Sequence, residues 1–166
     1  MTDRLWAPWR YDYVSSPEEK GRKCVFCSIA SDDSRNDRKN LVLFRGEKFF
    51  VVLNRYPYIN GHLMIVPCRH ISDMGSLDND EMSEMMALVK KAENALRKGM
   101  KCQGMNGGWN MGSAGGAGIP GHLHIHMLPR WGGDTNFMTT VGGIRVVSQS
   151  LEKALEILTP LFRESC

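Results

Sequence analysis

No apolar run in these 166 residues approaches the roughly 18 that a membrane-crossing helix needs. Charge of one sign is also scarce. Lys and Arg number 21 against 18 Asp and Glu, a net charge of +3. That balance speaks against a nucleic-acid partner, which would call for a concentrated basic face, and it suits a small anionic ligand. Met1 to Trp6 lack the apolar centre of a signal peptide, so a cytoplasmic location is expected. The five cysteines are odd in number and offer one close pair, Cys24 and Cys27, which fits thiolate or metal chemistry better than a disulfide framework. Internal repeats are missing. A glycine-rich stretch exists, but without the GxxxxGK[ST] spacing of a P-loop.

What is there is led by His122-Leu123-His124-Ile125-His126-Met127-Leu128. As a strand, this run sends its three histidines to one face and Leu123, Ile125 and Met127 to the other. At about 3.3 Å per residue the row covers roughly 13 Å, enough to track a phosphate chain. A helix would scatter the rings, because i and i+2 do not share a face. Histidine titrates near neutrality, so a row of them suits metal binding, acid–base work or nucleophilic attack.

The rest of the chain reads as one domain around this row. Residues 1–23 form an aromatic arm with Trp6, Trp9, Tyr11 and Tyr13, and 132–166 form a C-terminal extension. Residues 31–40 are polar and read as a loop. Leu41 to Phe44 and Phe49 to Leu53 flank Gly46-Glu47-Lys48 as a β-hairpin. His62 to Pro67 is a further strand. Met82, Met85, Met86, Val89, Ala92 and Leu96 recur at helical spacing, predicting a long helix from Asp78 or Asp80 to about Lys98, stopped by Gly99, with its methionines filling a core. Met105 to Asn110 reads as a strand. Ser148 to Arg163 reads as a closing helix that Pro160 should distort or shorten.

Gly112 to Gly121 feed directly into the histidine run. Such a loop brings backbone N–H groups close to phosphate oxygens, with Gly112, Gly116 and Gly118 as candidate contacts. Ser113 and His126 are candidate donors to phosphate, and Asn54 and Asn110 are candidate holders of a sugar or phosphate. A neutral imidazole can attack phosphorus if its other ring nitrogen has a partner that fixes the tautomer. Cys24 and Cys27 are either a redox pair or half of a zinc site. His70 and His122 are candidates for the remaining ligands, with Cys68 as a rival.

The complete His-φ-His-φ-His-φ-φ pattern over 122–128, φ being apolar, resembles the histidine triad superfamily. Gly61 to Pro67 and Asn110-Met111-Gly112 are similar to the same family, and the resemblance covers roughly residues 24–131. Arg4 to Arg10 and Pro129 to Phe137 resemble the bacterial branch that includes diadenosine tetraphosphate phosphorylases. The resemblance implies an α+β fold, an antiparallel sheet of about five strands with one long helix and a C-terminal helix, and a homodimer. It implies a nucleotide hydrolase or nucleotidyltransferase acting at the α-phosphate of an adenine nucleotide or dinucleoside polyphosphate, with inorganic phosphate or water as acceptor. His124 falls at the nucleophile position and His126 at the phosphate-orienting one. Asn54 and Asn110 match asparagines near ribose and phosphate. Cys24, Cys27, His70 and His122 match a structural zinc site. Many members carry Gln followed by Ser or Thr just before the triad, whereas this chain reads Gly118-Ile119-Pro120-Gly121. Two readings from other classes stand beside the enzyme: a nucleotide-binding module with little turnover, and a catalytic metal held by all three triad histidines.

Overall fold

The computed structural model describes residues 24–134 and 147–163. The aromatic arm and residues 135–146 and 164–166 of the expected C-terminal extension lie outside these described residues. Helix α1, Val25–Ser31, starts directly after Cys24. A 3-10 turn, Ser34–Asn36, and a short helix α2, Asp37–Asn40, occupy the stretch expected to be loop. The reason is local capping. Asp33 accepts the Arg35 N–H at 2.8 Å, and the Asp32 carboxylate accepts from the Asn36 and Asn40 side chains at 2.9 and 2.6 Å.

Strands β1, Val42–Arg45, and β2, Phe49–Leu53, form the expected hairpin. Strand β3 is Leu63–Pro67, β4 is Gly104–Gly108 and β5 is Ile125–Arg130. They make one antiparallel sheet in the order β1-β2-β3-β5-β4. Every residue of β2 and β3 is buried, as central strands covered on both faces require.

Helix α3, Asn79–Met100, has a full capping box: Asp78 accepts the Glu81 N–H at 2.7 Å and Glu81 accepts the Asp78 N–H at 2.9 Å. It does not stop at Gly99. That glycine lies inside the helix because a Cβ would crowd Leu161 and Ile157, and Lys101 in the left-handed region makes the turn instead. Of the methionines expected in the core, Met85 is buried but Met82 and Met86 are exposed. Helix α4, Leu151–Arg163, packs on α3 and β1 and runs through Pro160 rather than ending there. Proline removes one hydrogen bond in the last turns, while Leu155, Leu158 and Phe162 stay buried on one face and hold the helix in place. Among the described residues, no helix is long and apolar enough to cross a membrane.

The histidine strand also starts later than expected. The β3–β5 ladder runs from Leu63↔Met127 through Met64↔His126 to Ile65↔Ile125. Upstream of Ile125 the chain leaves the ladder. Pro67 has no N–H to continue the pairing, and its carbonyl is taken by a side chain, His122 Nε2–H, at 2.9 Å. The Leu123 N–H bonds to Ile71 O at 2.6 Å. Leu123, Ile125 and Met127 are buried all the same, as the alternation predicts.

Candidate active site and metal cluster

The imidazoles form a continuous row of ring contacts. Tyr58 to His62 measures 4.9 Å between centroids, His62 to His126 5.0 Å, and His126 to His124 4.9 Å. Phe26, the buried residue inside the CxxC of α1, touches both His124 and His122 at 5.3 Å. His70 closes the row against His122 at 5.1 Å.

Hydrogen-bond partners, backbone groups for His124 and His62 and a side chain for His126, fix which nitrogen carries the proton. His124 Nδ1 lies 2.8 Å from the His122 carbonyl, which can only accept, so Nδ1 is protonated and Nε2 keeps its lone pair. The Tyr58 backbone N–H donates to His62 Nδ1 at 3.2 Å, so His62 carries its proton on Nε2. That Nε2–H donates to His126 Nδ1 at 2.9 Å, which places the His126 proton on Nε2. Two adjacent rings thus offer complementary groups, a lone pair on His124 Nε2 and a donor on His126 Nε2.

Burial keeps these rings neutral. It lowers the pKa of His124, against the opposing pull of the His122 carbonyl. Burial and then the neighbouring His124 hold His126 down at about 4. Burial, followed by His126 and His124, holds His62 at about 3. Neutral imidazole is the form that can act as a nucleophile.

At the other end of the row, Cys24, Cys27, His70 and His122 place one ligand atom each within 4.8 Å of one another. Cys24 Sγ is 3.3 Å and Cys27 Sγ 3.6 Å from His122 Nδ1, and Cys27 Sγ is 3.2 Å from His70 Nδ1. His122 gives its Nε2–H to Pro67, which turns the Nδ1 lone pair toward the sulfurs. Two thiols and two imidazoles converging from three segments could hold a metal ion with closed tetrahedral coordination. Cys68, the rival ligand, is not in the group; it lies half-buried against the core. The cluster takes only His122 from the triad, so the three histidines do not converge on one metal.

The remaining expected site residues are placed less uniformly. Asn54 stands beside His62, its amide nitrogen 3.3 Å from Nδ1. Asn110 is exposed at the rim of the glycine-rich loop, its amide 3.4 Å from the Gly116 carbonyl. Gly112, Ser113, Gly116 and Gly118 are exposed along the same loop. Gly116 has a φ of +80°, and a Cβ at Gly115 would collide with the Met111 carbonyl, so the loop's path needs glycine at both positions.

Sequence reasoning missed His62, Phe26 and Gly108. The signal for His62 was available only through register. His62 is two residues before Met64, Met64 pairs with His126, and the two histidines therefore share a face. Gly108 pairs with His126 from the other side and leaves open space there.

Residues 35–133, more than half of the chain, match the HIT domain. The chain belongs to the HIT domain family. A Mycobacterium tuberculosis protein named AP-4-A phosphorylase is 38% identical over 159 residues, covering 93% of this chain and 82% of that protein. The crystal structure of a Zn-bound histidine triad family protein from Mycobacterium smegmatis aligns with a TM-score of 0.68 at 26% identity, covering 86% of this chain and 94% of that one. A diadenosine triphosphate hydrolase from Plasmodium falciparum, at 17% identity and a TM-score of 0.62, shares the fold; the match covers 76% of this chain and 78% of that one. This HIT domain therefore has the α+β architecture that its triad implied, and its family and its 38% relative support a nucleotide-processing enzyme.

Proposed function

We propose that this HIT domain protein transfers the nucleotidyl group of an adenine dinucleoside polyphosphate, with diadenosine tetraphosphate as the leading substrate and inorganic phosphate as the leading acceptor. The observation that carries the chemistry is the pair of complementary tautomers, His124 with a free Nε2 and His126 with an Nε2–H beside it. The name of the 38% identical relative supports the choice of substrate and acceptor.

The reaction runs in two displacements. His124 Nε2 attacks the α-phosphorus; a P–N bond forms as the bond to the bridging oxygen breaks, and ATP leaves with that bond's electron pair. His126 Nε2–H donates to a phosphate oxygen as negative charge builds on it. In the second step an oxygen of phosphate attacks the same phosphorus, the P–N bond breaks, and ADP leaves; water in its place gives AMP. The glycine-rich loop through Gly112, Gly116 and Gly118 and the Ser113 hydroxyl bind the polyphosphate, in place of the side-chain donors that 118–121 lack; the Gly116 N–H itself closes a turn on the Ser113 carbonyl at 3.0 Å and shapes that loop. Asn54 and Asn110 hold the ribose and phosphate. Cys24, Cys27, His70 and His122 hold zinc in a structural role, and the softness and geometry of the donor set support that metal.

Product analysis with diadenosine tetraphosphate, with and without phosphate, tests this reading. ADP and ATP formed only when phosphate is present establish phosphorolysis. AMP and ATP formed without phosphate make the protein a hydrolase. No nucleotide product under either condition overturns the proposal.

A further inference from the structure

His122 and His124 sit where the sheet no longer holds the chain. The ladder ends at Ile125, and the segment before it is tied by His122 N–H to Ile119 O at 3.2 Å, by Leu123 N–H to Ile71 O, and by the His122 ring to Pro67 O. The Cys and His cluster adds a further tie. It joins the start of α1, the segment just after β3, and His122 itself. Two routes lead from this cluster to His124. The His122 carbonyl accepts the His124 Nδ1–H at 2.8 Å. Phe26, between the two cluster cysteines in α1, packs on the rings of both His122 and His124.

We propose that metal ligation by Cys24, Cys27, His70 and His122 positions His124 for attack, replacing the ladder bonds this segment lacks. Ligation through Nδ1 fixes the His122 main chain, whose carbonyl holds the His124 proton on Nδ1 and aims Nε2 outward. Ligation also fixes α1, whose Phe26 ring limits the rotation of His124. His122 and Phe26 are then positioning residues. The inference rests on His124 being the nucleophile of the reaction proposed above.

The test uses the full chain labelled with 15N-histidine, loaded with zinc or stripped by chelator, together with a Phe26→Leu variant and a His70→Gln variant. In the loaded protein His124 shows one tautomer, protonated on Nδ1. On chelation its ring signals shift or broaden toward a mixture, and kcat falls roughly ten- to a hundred-fold while KM stays within about two-fold. Zinc restores both readouts in the wild type and restores them incompletely in His70→Gln. Phe26→Leu keeps full metal content and still lowers kcat, which separates positioning from loss of the fold. His124 ring signals that do not move on chelation overturn the inference, as does a fully loaded Phe26→Leu protein with wild-type signals and kcat. Failure of the loaded wild type to turn over diadenosine tetraphosphate would strike the functional reading instead, and the histidine signals would still decide whether the metal orients His124.

Discussion

His122 and His126 are four residues apart in one segment, and their rings present different nitrogens because their surroundings differ. His122 gives its Nε2–H to the Pro67 carbonyl and turns Nδ1 toward two thiols. His126 receives a proton donor on Nδ1 from His62 and turns Nε2–H outward. His124, between them, takes its tautomer from the His122 carbonyl. One repeated residue type therefore presents a lone pair toward two thiols at His122, a lone pair on Nε2 at His124 and a donor on Nε2 at His126, each chosen by the partner of the ring's other nitrogen.

Breaking the middle of this row should have the largest effect. His124→Ala removes the lone pair and should reduce turnover by at least ~10³-fold while nucleotide binding persists, read by product formation and by calorimetry. Breaking the metal end should act on stability first. Cys27→Ser should lose bound zinc and more than ~3 kcal/mol of stability, read by metal analysis and denaturant unfolding. Unchanged zinc content in that variant would remove Cys27 from the ligand set.

The donor end can be sharpened through His62. His62→Gln deprives His126 Nδ1 of its imidazole donor and should lower kcat about ten- to a hundred-fold with metal content unchanged. It should also change how stability responds to acid. Folded His62 stays neutral down to about 3, whereas in the unfolded chain it protonates near 6.5. Between those values the unfolded state binds more protons, so this group's contribution is complete above about pH 6.5 and is lost as pH falls toward 3. The wild type should therefore lose more stability from pH 7 to pH 5 than His62→Gln does, as read from urea midpoints. The smallest effect belongs to a cap far from both ends. Asp78→Ala should cost about 1 kcal/mol through α3 and leave kcat and zinc content unchanged.

Much of the fold was legible where patterning and local chemistry agree. The hairpin around Gly46, the buried β3 and the capped α3 all follow from short-range signals. The misread boundaries lie where packing overrides a local rule. Gly99 stays helical because α4 lies against it, and Pro160 is tolerated because Leu155, Leu158 and Phe162 on the same helix are buried. In the site, the CxxC and the triad could be seen directly. His62 and Phe26 could not, because one depends on strand register and the other on where α1 docks.

The sequence by itself determined the α+β pattern, the face shared by Leu123, Ile125 and Met127, and the presence of thiol and imidazole groups in the right number for a metal and a nucleophile. Only the tertiary structure decided which ring nitrogen each imidazole leaves free. A histidine's chemistry depends on which of its nitrogens holds the proton. That is set by the Pro67 carbonyl for His122, by the His122 carbonyl for His124 and by the His62 ring for His126, and the first and last of these partners lie 55 and 64 residues away in the chain.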